Sequence, residues 1–550
     1  MPGPNATWKR AKGRVPLLTS RQRQLLDLLE SGSSNQQLAD HFLITLNQAK
    51  SDINAILGRL ELSSREELAG FWTWQRQQRA VPLWVKLLAG AGVAMFLVLG
   101  VAGVLMGGNR DGAHPAVERS LGGPLPSPTA TSTPSLDSLG LAPAQVPWPA
   151  AGPEGRLAFI SPTGELMLKP MPSGAAMVIR AGEGHRAPAW SPSGKYLAFI
   201  EGGHLVVSDE RGQIVALTQP GVDAAWAWSP AADLLAFFSP DGMVLYDPAQ
   251  GTSRVIRGQG APYPERPGGL YWSPAGTRIL YGVFAGYTSP GRLDITELRV
   301  YELATGDDDL LVEESIPAKA GTSPVGWSGD GRWVFYREPP GFGNSAWVGS
   351  VNLHVMLATG GPSTKLGSVD GSPEHVSVRA GPDLFAYVSG GFRFATDGGR
   401  RLVVVSAGVE RELPGSPAGT ASALALSPNA TRLASIVMPE PPPVRGNLGP
   451  AEMQEQLRGE KLWVQTIGLP AKTQLTNDPA HRDEHPMWSA DGKSILFTRI
   501  NAAGEASIWR ISAAGGRPEL VQDGLGLGPA GVSGMYGWIE WSDLLAWWQP

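Results

Sequence analysis

A short pattern that recurs in the C-terminal part of the chain constrains the fold most strongly. Each copy ends an apolar run with Trp-Ser, turns through Pro, Asp or Gly, and starts a second apolar run, as in APAWSPSGKYLAFI and HPMWSADGKSILF. Short apolar runs separated by such turn residues predict paired β-strands. The copies contain Trp190, Trp228, Trp272, Trp327 and Trp488, and two degenerate copies include Val378 and Ser427.

Third and fourth strands follow several copies, for example HLVVSD and QIVALT after Trp190. Units of four strands and about 40–60 residues predict the blades of a β-propeller. The region opens with RLAFISPTGELMLKPM, which lacks a Trp-Ser leader, and finishes with YGWIEWSDLLAWW, in which Trp541-Ser542 is a leader without successors. One blade completed from both ends removes an open sheet edge. We therefore expect an all-β propeller over residues 154–550, with eight blades favoured and seven as the alternative.

Residues 17–72 have the pattern of a small all-α bundle. Four capping boxes, each a Ser or Thr followed three residues later by Gln or Glu, open short apolar-periodic segments. They begin at Thr19, Ser34, Thr45 and Ser63. The third segment has an apolar face made of Ala49, Ile53, Ile56, Leu57 and Leu60. Its other face, with Asn47, Lys50, Ser51 and Asn54, has the composition of a helix that reads a DNA major groove.

A single transmembrane helix is predicted over residues 83–108. Its central part, Leu87 to Gly108, has 22 residues and no charge, which is long enough to cross a bilayer. More cations precede this segment than follow it, so the positive-inside rule places the N-terminus in the cytoplasm and the propeller outside. A basic arm over residues 1–16 precedes the helical bundle, and a Pro-, Ser- and Thr-rich linker over 109–153 follows the span.

The segment from Leu18 to Leu68 resembles the LuxR-type helix-turn-helix domain of bacterial regulators. It shares the opening Leu-Thr-x-Arg, the Gly-x-Ser-Asn before the second helix and the pair Arg59-Leu60. The resemblance implies that the third helix contacts promoter DNA and that the domain binds DNA as a homodimer. The predicted DNA-binding residues are Thr45, Asn47, Gln48, Lys50, Ser51 and Asn54. Residues 17–70 carry five Lys or Arg against seven Asp or Glu, which favours the alternative of a protein-docking domain.

The repeats resemble the TolB-type, WD-repeat-like propeller, a fold that hosts binding, scaffolding and catalysis alike. The chain contains no cysteine, which excludes disulfides, thiolate metal sites and thiol catalysis. The run from His481 to His485 matches an inverted zinc-protease pattern, but its position predicts a loop between blades. Gly492-Lys-Ser is expected in a strand turn. Because no nucleophile, acid/base pair or metal cluster emerges, we expect no enzymatic activity, no cofactor and no metal.

These features favour a multidomain, membrane-anchored one-component transcriptional regulator. In this interpretation the cytoplasmic helix-turn-helix domain binds promoter DNA, and the extracytoplasmic propeller senses an unknown ligand or protein partner. A first alternative is a surface-exposed propeller scaffold or binding protein whose cytoplasmic helical domain docks proteins. A second alternative is an extracytoplasmic propeller hydrolase or lyase. The expected location is the bacterial cell membrane, with a single span and a cytoplasmic N-terminus.

Overall fold

The computed structural model describes Ile53 and most of the chain from residue 146 onward. The described ranges are 146–218, 225–258, 266–285, 295–315, 322–338, 351–369, 375–390, 399–413, 419–440, 450–528 and 539–550. The chain divides into two compact units, Met1–Gly123 and Pro124–Pro550. In the first unit the described residue is Ile53, which is helical and buried.

The predicted transmembrane helix, residues 83–108, lies outside the described ranges. Within those ranges, no helix combines the length and the apolar character needed to cross a membrane. The predicted helix-turn-helix domain, residues 17–72, also lies outside them except for Ile53.

The second unit is an eight-bladed β-propeller, in which the described strands form eight four-stranded antiparallel sheets. Blade 1 combines three strands from the start of the unit with one strand from its end, and every other blade uses four consecutive strands. Blades 1 to 4 consist of β1 (Arg156–Ile160), β2 (Leu166–Pro170), β3 (Met177–Arg180), β4 (Arg186–Trp190), β5 (Tyr196–Glu201), β6 (His204–Asp209), β7 (Ile214–Ala216), β8 (Trp226–Trp228), β9 (Leu235–Ser239), β10 (Gly242–Asp247), β11 (Thr252–Gly258), β12 (Arg266–Trp272), β13 (Arg278–Ala285), β14 (Ile295–Glu302) and β15 (Asp308–Ser315), with β32 (Leu545–Trp548) completing blade 1.

The remaining blades include both degenerate copies of the repeat. Blades 5 to 8 consist of β16 (Ser323–Trp327), β17 (Trp333–Glu338), β18 (Val351–Leu357), β19 (Thr364–Val369), β20 (Val376–Val378), β21 (Phe385–Ser389), β22 (Arg401–Ser406), β23 (Val409–Glu412), β24 (Thr420–Leu426), β25 (Arg432–Met438), β26 (Lys461–Thr466), β27 (Lys472–Gln474), β28 (Arg482–Trp488), β29 (Ser494–Ile500), β30 (Ala506–Ser512) and β31 (Glu519–Leu525). Since β20 and β24 each start a complete blade, the prediction of eight blades is confirmed and the seven-blade alternative is wrong.

The second strand of each blade is rich in apolar residues because neighbouring blades cover both of its faces. All residues of β1, and all but the first residue of β5, are buried. Successive side chains of a strand point to opposite faces of the sheet. A strand that is covered by a blade on each face therefore needs apolar residues at both odd and even positions. The apolar clusters of the core accordingly combine residues of adjacent blades, such as Phe335 of blade 5, stacked on Phe385 of blade 6 with ring centroids 3.7 Å apart.

Pairing of β1 with β32 closes the ring, as the shared-blade prediction requires. The leader predicted at Trp541-Ser542 is wrong, because Trp541–Asp543 is a 3-10 helix outside the sheet. Trp547 instead has the position of the repeated tryptophan. It faces Leu157 across the closing pair, as Trp190 faces Leu197 in blade 2.

The meander order places two kinds of connection on opposite faces of the ring. Turns between first and second strands, and between third and fourth strands, lie on one face, here called the tight-turn face. The chain enters the propeller against this face. The backbone N–H of Trp148 donates to the carbonyl of Glu210, in the turn between β6 and β7, at 3.0 Å. The indole ring of Trp148 packs edge-on against the ring of Trp190. The described connections between blades lie on the opposite face, and so does helix α1 (Pro450–Leu457), which lies between β25 and β26.

Candidate functional site: the axial cavity

Five of the repeated tryptophans connect the first strand of one blade to the first strand of the preceding blade. In these five, the indole N–H donates to a backbone carbonyl of that preceding strand. The five bonds are Trp190 to Ala546 (3.1 Å), Trp228 to Ala189 (3.0 Å), Trp272 to Ala227 (2.9 Å), Trp327 to Tyr271 (3.0 Å) and Trp488 to Ala425 (2.8 Å). Because these N–H groups are satisfied within the ring, the indoles that remain partly accessible, Trp190 and Trp228, expose only apolar surface.

Blades 6 and 7 have Val378 and Leu426 at the tryptophan position and use other bonds. The backbone N–H of Leu426 donates to the Ser377 hydroxyl at 3.0 Å, and Arg379 Nε donates to the Leu426 carbonyl at 2.9 Å. Polar links between these first strands are therefore kept without an indole. The smaller side chain of Val378 leaves space beside blade 5.

A cavity of about 750 Å³ lies along the first strands of blades 3 to 6. Cavities of this size take small-molecule ligands. The accessible aromatic surface comes from the half-buried Trp226 and Trp228 and from Tyr271, which is 37% exposed. Trp272 and Trp327 form the buried wall behind them, and Val376 and Val378 form the facing wall. The described lining is therefore mostly apolar and aromatic.

Polar chemistry in the cavity comes from two side chains. Arg337, near the end of β17, is the one charged residue of the described lining. The Tyr271 hydroxyl is a neutral hydrogen-bond donor at physiological pH, and Tyr271 and Arg337 line the same cavity.

A glycine widens the cavity at blade 5. The first strand of this blade is irregular between Pro324 and Gly326, where its register with β17 shifts. Gly326 has a φ of +150°, and no heavy atom lies within 4 Å of the position that a Cβ would take. A side chain here would be strained and would point into open space. The bulge therefore opens the cavity wall.

A second polar site, the buried ion cluster (Glu460, Arg482, Asp483, Glu484 and Arg499), lies between blades 7 and 8. Arg482 Nε donates to Glu460 at 2.9 Å, and the same guanidinium pairs with Glu484. Trp541 Nε1 donates to the other oxygen of Glu484 at 2.5 Å. The cluster thus holds the 3-10 helix that leads into the closing strand β32.

The charges of this cluster perturb one carboxyl group strongly. Burial raises the pKa of Glu460 to about 8; the positive charge of Arg482 opposes this shift, and the negative charge of Glu484 adds to it. Asp483 is paired with Arg499 at 2.7 Å and is completely buried. Burial thus favours the protonated form of Glu460, whereas Glu484 contacts both the Arg482 guanidinium and the Trp541 indole N–H.

All six predicted DNA-binding residues, Thr45, Asn47, Gln48, Lys50, Ser51 and Asn54, lie outside the described ranges. The run from His481 to His485 is not the expected loop, since β28 begins at Arg482. The sequence analysis did not identify the buried ionic residues of this segment. The feature that could have indicated them is the run of three charged residues shortly before Pro-Met-Trp, the start of a blade. Within the described ranges, no group of three or more His, Asp or Glu residues could hold a metal ion. Gly492 lies in the turn before β29, as predicted.

Neither a protein-family model nor a curated protein sequence matches this chain. Several solved structures are similar. TolB from Acinetobacter baumannii is 15% identical, with a TM-score of 0.31 over 68% of this chain and 64% of that one. Dipeptidyl peptidase 4 from Porphyromonas gingivalis is 10% identical, with a TM-score of 0.47 over 72% and 62%. Oligogalacturonate lyase from Vibrio parahaemolyticus is 14% identical, with a TM-score of 0.37 over 66% and 98%.

The strand order defines an eight-bladed β-propeller. The matched region is less than two thirds of the length of TolB and of the peptidase. At these identities the likeness concerns the fold alone.

The prediction of no enzymatic activity is contradicted by the same matches, because the similar structures include a peptidase and a lyase. Linear sequence motifs do not detect residues that separate blades bring together, such as Glu460 and Glu484.

Proposed function

We propose that this propeller is a binding module whose axial cavity takes a small molecule or a short segment of a polymer. The observation that carries the proposal is the cavity of about 750 Å³, lined by Trp226, Trp228 and Tyr271 and by a single charged side chain. Aromatic faces with a few polar groups are the composition of ligand sites rather than of a packed core. Val378, which replaces the repeated tryptophan, supplies the space.

Filling the cavity tests this proposal. In Val378→Trp, the new indole occupies part of the cavity and can donate to the carbonyl of blade 5, as the other repeated tryptophans do. The matched control is Val409→Trp, on β23, where the side chain is 53% exposed and lies outside the cavity. Equilibrium dialysis of the full chain against 2-naphthylacetamide is expected to show one saturable site that Val378→Trp removes and Val409→Trp keeps. Binding that both variants keep would contradict the proposal.

Hydrolysis or elimination is a second candidate function, and one observation favours it. Glu460, a carboxyl group with a raised pKa, and Glu484 share Arg482, which also lines a small cavity of about 110 Å³. A neutral and an ionised carboxyl group in one site can act as general acid and base. Peptide p-nitroanilides and oligouronates are suitable test substrates. Catalysis would be supported if the unmodified chain and the control Glu519→Gln, on exposed β31, turn over a substrate and Glu460→Gln does not. Absence of turnover by the unmodified chain would oppose it.

At the level of the whole chain, we propose from the sequence that residues 83–108 anchor the propeller outside the bacterial cell membrane. We also propose that residues 17–72 bind promoter DNA as a homodimer in the cytoplasm. A ligand of the axial cavity could regulate DNA binding only through different affinities for two states of the protein. Measuring operator affinity of the reconstituted full chain with and without a cavity ligand tests this coupling.

A further inference from the structure

We infer that the axial cavity selects ligands that carry a negative charge on a planar, apolar body. This inference rests on the proposed binding function and adds the chemical class of the ligand. The described lining has one charge, that of Arg337, and no Asp or Glu.

Arg337 and Tyr271 supply the charged and hydroxyl side chains of the described cavity wall. A guanidinium has five N–H donors, so Arg337 can keep a contact within the chain and still bind a ligand oxyanion. Tyr271 adds a neutral O–H donor. These N–H and O–H donors suit hydrogen bonding to a carboxylate or a similar oxyanion.

The remaining wall suits the body of such a ligand. Trp226 and Trp228 are half-buried, so their rings can be covered further. The indole N–H of Trp228 is already bonded to the Ala189 carbonyl at 3.0 Å and leaves only ring surface for the ligand. Val376 and Val378 on blade 6 complete an apolar slot opposite. A planar ring system buries the largest apolar area in a slot of this kind.

The charge of Arg337 disfavours cationic ligands. In a partly buried site, this charge is screened less than it would be at an exposed surface. A cationic ligand would be repelled by it, despite the aromatic faces of the wall. A neutral planar ligand would gain only the apolar contacts. The preference should therefore appear as a difference between two ligands that share one body.

A matched pair of probes tests the inference. 2-Naphthylacetate and 2-naphthylacetamide have the same ring and nearly the same shape, but only the first is charged. In calorimetric titrations of the full chain at pH 7, we expect the carboxylate to bind at least about tenfold more tightly, or about 1.4 kcal/mol. Arg337→Met is expected to abolish that preference while leaving the affinity for the amide within about twofold. Arg337→Lys, which keeps the charge but not the fork of donors, is expected to retain part of the preference.

Equal affinity for the two probes, or a preference that survives in Arg337→Met, would overturn the inference. The Val378→Trp variant separates this failure from failure of the proposed function. If Val378→Trp removes binding of both probes while the carboxylate has no advantage, the cavity binds ligands without charge selection. If Val378→Trp changes neither affinity, the axial cavity is not the binding site, and both proposals fail.

Discussion

At the scale of single residues, the repeated tryptophan has a polar role beside its packing role. Five indole N–H groups each join the first strands of two adjacent blades, at distances from 2.8 to 3.1 Å. A carbonyl at the inner edge of a blade has no further strand to pair with, so the indole satisfies it. Phe at the same position would fill similar space but leave that carbonyl without its donor.

Trp272→Phe should therefore destabilise the propeller by about 1–3 kcal/mol, the usual cost of removing one partner from a buried hydrogen bond. The matched control is Trp509→Phe, because Trp509 Nε1 donates to Ser507 within the same strand rather than to another blade. Urea unfolding followed by circular dichroism should give a lower midpoint for Trp272→Phe than for Trp509→Phe. Equal midpoints would show that the interblade bond contributes nothing beyond ring packing.

The buried ion cluster predicts a pH dependence of stability. The pKa of Glu460 is raised to about 8 in the folded state, above its ordinary value of 4.5. The folded state therefore binds this proton more tightly than the unfolded state, so the contribution is complete below about pH 4.5 and is lost as the pH rises through about 8. Between pH 5 and pH 9, the unmodified chain should lose more stability than Glu460→Gln does. Glu519→Gln, an exposed control, should behave like the unmodified chain.

His185 and Glu201 contribute pH dependence of their own. Burial lowers the pKa of His185, but the Glu201 carboxylate and the Gly164 carbonyl outweigh it and leave that pKa raised. Burial raises the pKa of Glu201, but His185 and Arg180 outweigh it and leave that pKa lowered. Stability from His185 is therefore lost as the pH rises through its folded pKa, and stability from Glu201 is lost as the pH falls through its folded pKa. The comparison with Glu460→Gln cancels both contributions because the pair is unchanged.

At the scale of elements, the sequence predicts strands and turns better than it predicts their partners. The Trp-Ser turns were visible because Ser and Asp have local roles: Ser328 donates to Asp330 and Ser489 donates to Asp491, at 2.6 and 2.7 Å. Such bonds depend on residues two positions apart, so a linear pattern records them. The blade count followed from the same turns.

Long-range pairing explains what the sequence did not reveal. Trp541-Ser542 has the sequence of the repeated Trp-Ser pair, but the strand that pairs with β1 is Leu545–Trp548. Which of the two segments forms the strand depends on its pairing with β1, which is far away in the sequence. The position of His481–His485 directly before Pro-Met-Trp suggested a loop between blades. The segment instead belongs to β28, where Glu460 of the preceding blade pairs with the charge of Arg482. The axial cavity arises from four blades at once and has no linear signature beyond the missing tryptophan at Val378.

The helix-turn-helix prediction also belongs to this scale. In the full chain in detergent micelles, Lys50→Ala on the predicted recognition helix should abolish the preference for the DNA upstream of its own gene over scrambled DNA. Lys12→Ala, in the basic arm, should weaken binding to both DNAs alike and reduce the salt dependence, since phosphate contacts carry no sequence information. Gel-shift titrations at several salt concentrations provide the measurement. If Lys50→Ala keeps the preference for its own upstream DNA over scrambled DNA, this helix is not the recognition helix.

At the scale of the whole molecule, ring closure depends on a single strand pair. Four residue pairs join β1 to β32, from Arg156 with Trp548 to Phe159 with Leu545. In every other blade, the first strand is followed directly by the strand it pairs with. Releasing β32 would therefore open the ring, whereas disturbing another first strand would leave the chain path around the axis continuous.

Ala546→Pro should show this difference against Ala227→Pro. The two alanines have equivalent positions, because each precedes the residue at the tryptophan position and each accepts an indole N–H from the next blade. Proline removes a backbone donor and weakens both strands locally. Hydrogen exchange should speed up about tenfold or more in β1 of Ala546→Pro, and by less in β9 of Ala227→Pro. Similar exchange in the two variants would mean that closure has no special weakness.

The pairing of β1 with β32 also determines how late in synthesis the ring can close. The Trp547 indole reaches the Glu154 carbonyl across 393 residues of chain. At ribosomal rates of about 5–20 residues per second, β1 leaves the ribosome roughly 20 to 80 s before its partner does. Blades 2 to 8 can form one by one in that interval, while the exposed edge of β1 remains open to other strands. Faithful biosynthesis therefore depends on keeping this edge apart from neighbouring nascent chains until β32 arrives.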